Sequence, residues 1–184
     1  MLYFATSNAG KLREARAILG VPIEQIDLDL PELQTLDVAE VVREKAIVAH
    51  RTTGRAVLVD DTGFAIEAWQ GLPGALVRWF VTTVGPAGIC RMVDSAASRV
   101  VVVTTAVAFH DGTDLHLSIG TLRGLVTPGP RGTNGFGWDA IFQPDGHAKT
   151  FAEMTDDEKN AISPRRLALE GLSGKYEVRS TKYE

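Results

Sequence analysis

Cysteine is nearly absent from this chain, and its scarcity limits the kinds of protein that the sequence can encode. The chain has 184 residues and one cysteine, Cys90, so no disulfide can form within it. Disulfide-stabilised secreted domains are therefore excluded, and a reducing compartment is expected. A free cysteine is usually a small core residue, which predicts that Cys90 is buried.

Long apolar runs and an excess of basic residues are also missing. No stretch approaches the roughly 18 apolar residues of a membrane-spanning helix. The first residues, MLYFATSN, lack the basic and apolar regions of a signal peptide. The formal net charge of −4 does not favour a general nucleic-acid binder, so any phosphate site must be built from local cations. We expect a cytoplasmic protein with neither a membrane nor a nucleic acid as its partner.

Several catalytic motifs are absent as well. The four histidines, at positions 50, 110, 116 and 147, show no metal-ligand spacing. The chain contains no G-x-S-x-G elbow, no Walker A loop and no H-E-x-x-H pair. The chemistry must therefore be sought in less familiar segments.

The sequence does contain an alternation of strand-like and helix-like segments. Short apolar segments at MLYFAT, IEQID and AVLVDD predict strands, the last of them ending at its two aspartates, and FAIEAW predicts another. Amphipathic patterns at residues 10–19 and 38–51 predict helices. Further along, RVVVVTTAVAFHDGTDLHLSIGTLRGLV predicts two long strands joined at Asp111 and Gly112. This order predicts a single α/β domain over residues 1–184, with helices packed on a mixed sheet.

A proline interrupts the helical pattern of NAISPRRLAL, at residues 160–169. Proline inside a helix costs about 3 kcal/mol, but it suits the first helical position. The segment therefore predicts a helix that starts at Pro164 with Ser163 as its N-cap, after a separate short turn or helix in TDDEKNAI. Arg165 and Arg166 then lie in a first turn where acidic residues are more usual, which suggests a nearby anion.

A second cationic helix start follows the first strand, in ATSNAGK. Ser7 or Asn8 is the expected N-cap, and Lys11 lies in the first turn. The free backbone N–H groups of that turn, together with Lys11, would suit a phosphate. The simpler alternative is a capped helix with a solvated lysine. Two such helix starts in one chain suggest an anion shared between them.

Two aspartates follow the apolar part of VLVDDTG. Side chains alternate along a strand, so Asp60 and Asp61 should point in opposite directions, one toward a site and the other capping the following turn. An aspartate beside a phosphate cluster suggests Mg²⁺, which prefers few carboxylates together with water and substrate oxygens. The alternative is an ordinary pair of turn aspartates.

The predicted helix at residues 38–51 adds two candidates. Lys45 lies on the apolar stripe of this helix, where a lysine pointing inward needs a partner. Glu40 is a candidate second metal carboxylate. The alternative is a solvated helix face on which the Lys45 side chain extends to the surface.

The segment GFGWDAIF supplies aromatic side chains beside a glycine. An aromatic ring next to Gly137 could stack on a nucleobase, because glycine allows tight backbone geometry. Core packing of Phe136 and Trp138 is the more usual explanation, since both side chains have large areas to bury.

Seven short motifs occur in a distinctive order along the chain: SNAGK, VDDTG, GLPG, GFGWD, FQPDG, FAEM and EKNAISPRR. In this order they resemble the inosine/xanthosine triphosphate pyrophosphatase family. The resemblance runs from about residue 5 to residue 169. It implies an elongated mixed sheet flanked by helices, with two lobes, a nucleotide in the cleft between them, and usually a homodimer. It also implies Mg²⁺-dependent hydrolysis of inosine, deoxyinosine or xanthosine triphosphate to the monophosphate and pyrophosphate.

The resemblance assigns roles to individual residues. Asp61 matches the metal ligand and general base, Glu40 matches the metal glutamate, and Lys11 and Lys45 match phosphate-binding lysines that take part in catalysis. The remaining substrate contacts are matched by Thr6, Ser7, Asn8, Thr62, Arg78, Phe136, Gly137, Trp138, Asp139, Lys159 and Arg165.

One position departs from the family pattern. The family usually has Ser-His-Arg where this chain has Ser163-Pro164-Arg165, and the histidine of that pattern helps to read the 6-keto purine. Proline offers neither a side-chain donor nor a backbone N–H. The resemblance therefore leaves open an enzyme with altered or broader base specificity, with discrimination passing to Arg165 or Arg166. A third possibility is a nucleotide-binding protein without turnover, although Lys11, Lys45 and Asp61 are all present.

Overall fold

A mixed β-sheet with helices on it forms the protein, in a computed structural model that describes residues 1–175. The strands are β1 Leu2–Ala5, β2 Ile23–Ile26, β3 Val57–Ile66, β4 Pro73–Gly74, β5 Val100–His110, β6 Leu115–Val126 and β7 Phe142–Pro144. The helices are α1 Ala9–Leu19, α2 Val38–Thr53, α3 Val77–Thr83, α4 Gly85–Val93, α5 Asp156–Ile162 and α6 Pro164–Glu170. The end of the predicted 1–184 domain, residues 176–184, lies outside the described residues.

The sheet has the strand order β2-β1-β3-β5-β6-β7, with β4 paired to β3. β1 is parallel to β2 and β3, whereas β3, β5, β6 and β7 pair antiparallel in succession. The predicted α/β class with a mixed sheet is confirmed. The division into two lobes stays a prediction.

The strand that carries the two aspartates is longer than predicted. The prediction that it ends at Asp60 and Asp61 and that another strand begins at FAIEAW is wrong. β3 continues through both aspartates, and each of its residues pairs with β5. Polar side chains do not end a strand when they have charged partners beside the sheet, as these two have.

The predicted hairpin between β5 and β6 is confirmed. Its loop runs from Asp111 to Asp114, and the Asp111 carboxylate accepts the N–H groups of Thr113 and Asp114, both at 2.8 Å. Those backbone hydrogen bonds hold the pKa of Asp111 well below its usual range, and the one from Asp114 has the largest effect. An aspartate that bonds to the backbone just ahead of it stabilises this kind of turn.

Apolar side chains from the helices bury both faces of the central strands. The stripe of α2 predicted from the sequence packs on β3 and β5, where Val42 and Ala46 have no exposed surface. Cys90 is buried in the core between α4 and the sheet, as predicted, and burial raises the pKa of its thiol. Within residues 1–175, no helix combines the length and apolarity needed to cross a membrane.

α6 lies directly on the backbone of β6. A Cβ added at Gly120 would overlap the Pro164 carbonyl oxygen and stand 2.7 Å from Leu167 Cβ. Only glycine at this point of β6 lets the first turn of α6 approach so closely. The helix begins at Pro164, and the Ser163 hydroxyl accepts the Arg166 N–H at 3.1 Å. The start and the N-cap predicted for this helix are both confirmed.

Candidate active site

A cavity of about 1010 Å³ lies beside β3, between the start of α1 and the start of α6. Its lining draws on distant parts of the chain, from the β1–α1 loop to the first residues of α6. With one exception, Glu40, the site residues predicted from the sequence all line it: Thr6, Ser7, Asn8, Lys11, Lys45, Asp61, Thr62, Arg78, Phe136, Gly137, Trp138, Asp139, Lys159 and Arg165.

The start of α1 forms one wall of the cavity. Asn8 is its N-cap, and the Asn8 side-chain oxygen accepts the N–H groups of Gly10 at 2.9 Å and Lys11 at 3.2 Å. The Thr6 hydroxyl accepts the Asn8 N–H at 3.1 Å. The sequence analysis expected free N–H groups here for a phosphate, but Asn8 already bonds two of them. The Lys11 ammonium is the cationic group that this turn presents to the cavity.

Asp60 and Asp61 both line the cavity. The prediction that one of them caps the following turn is therefore wrong. Lys11 Nζ lies 3.0 Å from Asp60 Oδ1 and 4.0 Å from Asp61 Oδ1. The other Asp60 oxygen accepts the Arg165 Nε–H at 2.8 Å. Burial acts to raise the pKa of Asp60, but the neighbouring cations lower it below its ordinary value. Asp60 is therefore an ionised carboxylate that fixes two cations.

Asp61 pairs with Lys45, the lysine on the apolar stripe of α2. Lys45 Nζ lies 3.2 Å from Asp61 Oδ1 and 3.0 Å from Glu32 Oε1. Burial raises the pKa of Asp61, and Lys11 and Lys45 offset this only in part. Burial acts to lower the pKa of Lys45, but Asp61 and Glu32 raise it above its ordinary value. The predicted need for a partner at Lys45 is confirmed.

Glu40 does not join this cluster. It is exposed on α2, outside the cavity lining, and its Oε2 accepts the Thr35 hydroxyl hydrogen at 2.7 Å. Glu32, in the segment between β2 and α2, is the carboxylate that pairs with Lys45 together with Asp61. Glu32 was not predicted as a site residue, because an acidic residue in a loop carries no periodicity that would mark it.

A buried network of charges joins α1 to α5 and α6. Glu14 Oε1 accepts from Lys159 Nζ at 2.7 Å, and Glu14 Oε2 accepts from the Arg165 guanidinium. Lys159 also donates to Asp139 Oδ2 at 2.6 Å, and Arg165 continues the chain to Asp60. Each of the five residues is at most 6% exposed. The network sets Lys159 and Arg165 in the cavity wall with opposite charges around them.

Glu14 was not predicted from the sequence, although one feature could have found it. It lies at the edge of the apolar stripe of α1, one turn before Ile18. A carboxylate at such a place needs a buried partner. Its partners are 145 and 151 residues away in the chain, so only the fold identifies them.

The two aromatic residues of GFGWD occupy different environments. The Trp138 ring packs in the core against Phe64 and Phe142, with ring centroids 5.2 and 5.6 Å apart. The Phe136 ring lines the cavity with Lys159 Nζ over it, 4.8 Å from the centroid. Both residues line the cavity, but the Trp138 ring is packed against core aromatics, whereas the Phe136 ring packs against a cation of the cavity wall.

Two further predicted residues lie at opposite depths of the cavity. Arg78, at the start of α3, has a side chain that is 74% exposed and approaches Glu32 at 3.8 Å, so it stands at the rim. Thr62 is deeper, and its hydroxyl is 2.9 Å from the hydroxyl of Thr105 on β5. Thr105 also lines the cavity, and it is a site residue that the sequence analysis missed.

The two arginines after Pro164 lie in different surroundings. Arg165 is buried in the cavity wall, whereas Arg166 pairs with Glu170 one turn along α6 and does not line the cavity. Of the two residues suggested as substitutes in base recognition, the structure therefore places only Arg165 where a ligand could reach. Pro164 itself is buried and lines the cavity.

A metal ion would have to be held mainly by two carboxylates. Among the described residues, no group of three or more histidine, cysteine or acidic side chains is arranged to hold one. Asp61 and Glu32 are drawn together by the Lys45 ammonium between them and both face the cavity. Mg²⁺ needs only one or two carboxylates when substrate phosphates and water supply its other ligands, so these residues fit that ion.

The mixed sheet and the charged cavity, with the Phe136 ring in its wall, define a class of α/β protein suited to a ligand that has both charged groups and a ring. Residues 2–175 match the model of the Ham1 family, and the chain belongs to that family.

Known relatives cover nearly all of the chain. It is 44% identical over 171 residues to the inosine triphosphate pyrophosphatase of Schizosaccharomyces pombe, a match that spans 91% of this chain and 90% of the other. It is 40% identical over 172 residues to the dITP/XTP pyrophosphatase of Thermococcus kodakarensis, spanning 91% and 92%. The solved structure of a HAM1 protein from Coxiella burnetii superposes with a TM-score of 0.78 at 28% identity, covering 94% and 96%.

Proposed function

We propose that this protein hydrolyses inosine, deoxyinosine and xanthosine triphosphates to the monophosphate and pyrophosphate, and so removes aberrant purine nucleotides. The names of its relatives support this activity. The observation that carries the proposal is the arrangement of one cavity, in which Asp61 pairs with Lys45 and Lys11 while Phe136 offers a ring. A phosphate chain and a base could be bound together only where such groups share a site.

The charge of the cavity supports a requirement for Mg²⁺. Its lining carries six carboxylates and five cations, so the cavity has no excess of positive charge to offer a triphosphate. Lys11, Lys45 and Arg165 are already paired with carboxylates. Mg²⁺ held by Asp61 and Glu32 would supply the missing positive charge and polarise the phosphate oxygens.

The chemical step follows from the same residues. Asp61 would accept a proton from the water that attacks the α-phosphorus, a role that suits a carboxylate whose pKa burial has raised. The bond between the α-phosphorus and the bridging oxygen to the β-phosphorus then breaks, and pyrophosphate leaves. Lys11 and Lys45 would offset the charge that develops on the leaving group.

The base would be recognised by the wall of the cavity that contains Phe136, Lys159 and Arg165. The Phe136 ring would stack on the purine, while Lys159 and Arg165, fixed by Glu14, would present donors to its polar edge. Thr6, Ser7 and Asn8 would line the phosphate end and Thr62 the region between.

A second candidate is a pyrophosphatase with a broader or altered base range. Pro164 is buried in the cavity wall and has no N–H and no side-chain donor, so it cannot read a carbonyl oxygen. A pocket that lacks a hydrogen-bonding partner discriminates more weakly against bases that differ in that group.

A panel assay tests both candidates. Pyrophosphate release is measured with inosine, deoxyinosine, xanthosine, adenosine and guanosine triphosphates, with Mg²⁺ and after chelation by EDTA. We expect turnover of the first three that EDTA abolishes. Comparable turnover of adenosine triphosphate, reduced in Pro164→His, would favour the broader range. Tight binding of a triphosphate without any pyrophosphate release would instead identify a non-catalytic nucleotide-binding protein.

We also propose that the protein works as a cytoplasmic homodimer. The single buried cysteine is compatible with a reducing compartment. Light scattering of the purified protein measures its mass directly, and a value near the 19.8 kDa of one chain would contradict the dimer.

A further inference from the structure

Gly10, the second residue of α1, lies against the Phe136 ring. A Cβ added at Gly10 would stand 2.5 Å from Phe136 Cδ1 and 2.7 Å from Cε1, closer than carbon atoms approach in folded proteins. Gly10 is in an ordinary helical turn, so its backbone conformation does not require glycine. The reason for glycine here is the space that a side chain would take from the ring.

Other contacts hold the same ring from other directions. Lys159 Nζ lies over the ring, and it is itself fixed by Asp139 and Glu14. Asp139 Oδ2 also accepts the Phe136 N–H at 2.7 Å, which anchors the backbone below the ring. The ring cannot move away from a bulkier residue at position 10 without leaving these contacts, and it borders the open cavity.

We propose that Gly10 positions the ring that stacks on the base, because its missing side chain sets how deep the Phe136 ring sits and therefore how much room a base has. This inference rests on the proposed function, in which Phe136 stacks on the base. Gly10 acts through Phe136 and is a positioning residue rather than a catalytic one. A side chain at position 10 would displace the ring from its present place in the cavity wall.

The competing explanation is that Gly10 is an unremarkable helix residue. In that case Gly10→Ala would help the helix, because alanine is the better helix former, and would not alter nucleotide affinity. A double-mutant cycle separates the two explanations, since an effect that passes through Phe136 disappears when the ring is removed.

The cycle compares wild type, Gly10→Ala, Phe136→Ala and the double variant, with Gly129→Ala as the matched control. A Cβ at Gly129 meets nothing within 4 Å. We expect Gly10→Ala to raise KM for inosine triphosphate by roughly tenfold, because overpacking displaces a ring that contacts the ligand. In the Phe136→Ala background the same change should alter KM by less than about twofold. Gly129→Ala should leave KM unchanged, and the melting temperatures report whether each variant is folded.

An equal rise in KM in both backgrounds, or no rise for Gly10→Ala alone, overturns the inference. Failure of the proposed function looks different, because wild type would then release no pyrophosphate from any nucleotide. The four proteins are in that event titrated with inosine triphosphate and Mg²⁺ by calorimetry, and the dissociation constants are compared through the same cycle. Absence of binding by wild type would overturn the proposed function and the inference together.

Discussion

Glu14 shows how strongly single residues of this protein depend on distant partners. The residue is 5% exposed, and its carboxylate is shared by Lys159 and Arg165, which belong to two other helices. A buried carboxylate between two buried cations is costly to remove, because the cations keep their charge and lose their partner. The residue therefore contributes both to stability and to the position of the two cations in the cavity.

We predict that Glu14→Gln lowers the free energy of unfolding by about 3–5 kcal/mol, the usual cost of breaking a buried ion pair from one side. Glu170→Gln is the matched control, since Glu170 pairs with Arg166, the next residue of α6, but both side chains are exposed. That change should cost less than about 1 kcal/mol. Urea unfolding measures both, and equal losses would contradict the assignment of Glu14 to a buried network.

Asp61 is predicted to matter for turnover. Asp61→Asn should reduce pyrophosphate release by about 100-fold or more, because it removes the proposed proton acceptor. The Asp61 carboxylate also pairs with Lys45 and Lys11, so the melting temperature of the variant is measured to show that the protein is folded when its turnover is assayed. An Asp61→Asn protein that keeps most of its turnover would remove Asp61 from the mechanism.

At the scale of the elements, the start of α6 is the best-predicted feature of the site. Proline at the first helical position and serine before it identify the helix start without any tertiary information. The extent of β3 could not be predicted in the same way. Asp60 and Asp61 are typical strand-ending residues, and only their pairing with Arg165, Lys11 and Lys45 allows the strand to continue.

Ser163→Ala tests the contribution of the α6 N-cap. The hydroxyl accepts the Arg166 N–H, and its loss should lower the free energy of unfolding by about 1 kcal/mol. Because α6 carries Arg165, pyrophosphate release should fall as well. Ser173→Ala, at an exposed residue after the helix, is the control and should leave both quantities unchanged. Equal stability of the two variants would mean that α6 does not depend on its cap.

At the scale of the whole molecule, His110, which lies outside the cavity lining, contributes to the response of stability to acid. The rings of His50, on α2, and His110, on β5, stack with centroids 4.1 Å apart. Burial and the neighbouring His50 lower the pKa of His110, while Asp111 and Asp114 raise it and His116 lowers it again. The folded protein therefore binds this proton less readily than the unfolded chain, whose histidine pKa is about 6.5.

The free energy of unfolding should consequently be independent of His110 at high pH and decrease as the pH falls through about 6.5 toward the lower folded-state pKa. His110→Gln should lose less stability than wild type between about pH 8 and about pH 5.5. Urea unfolding at the two pH values measures the difference. His147→Gln, at an exposed histidine, is the control and should behave like wild type.

The sequence by itself determined the fold class, the start of α6 and a set of site residues of which all but Glu40 line the cavity. Those features depend on local rules, such as periodicity, helix capping and the order of short motifs. Only the tertiary structure decided that Glu32, and not Glu40, lies beside Asp61, and that Glu14 joins Lys159 to Arg165. It also decided that the Phe136 ring rests on Gly10. Such contacts join residues from remote segments of the chain. They depend on complementary charge and volume across a cavity, which local sequence patterns do not reveal.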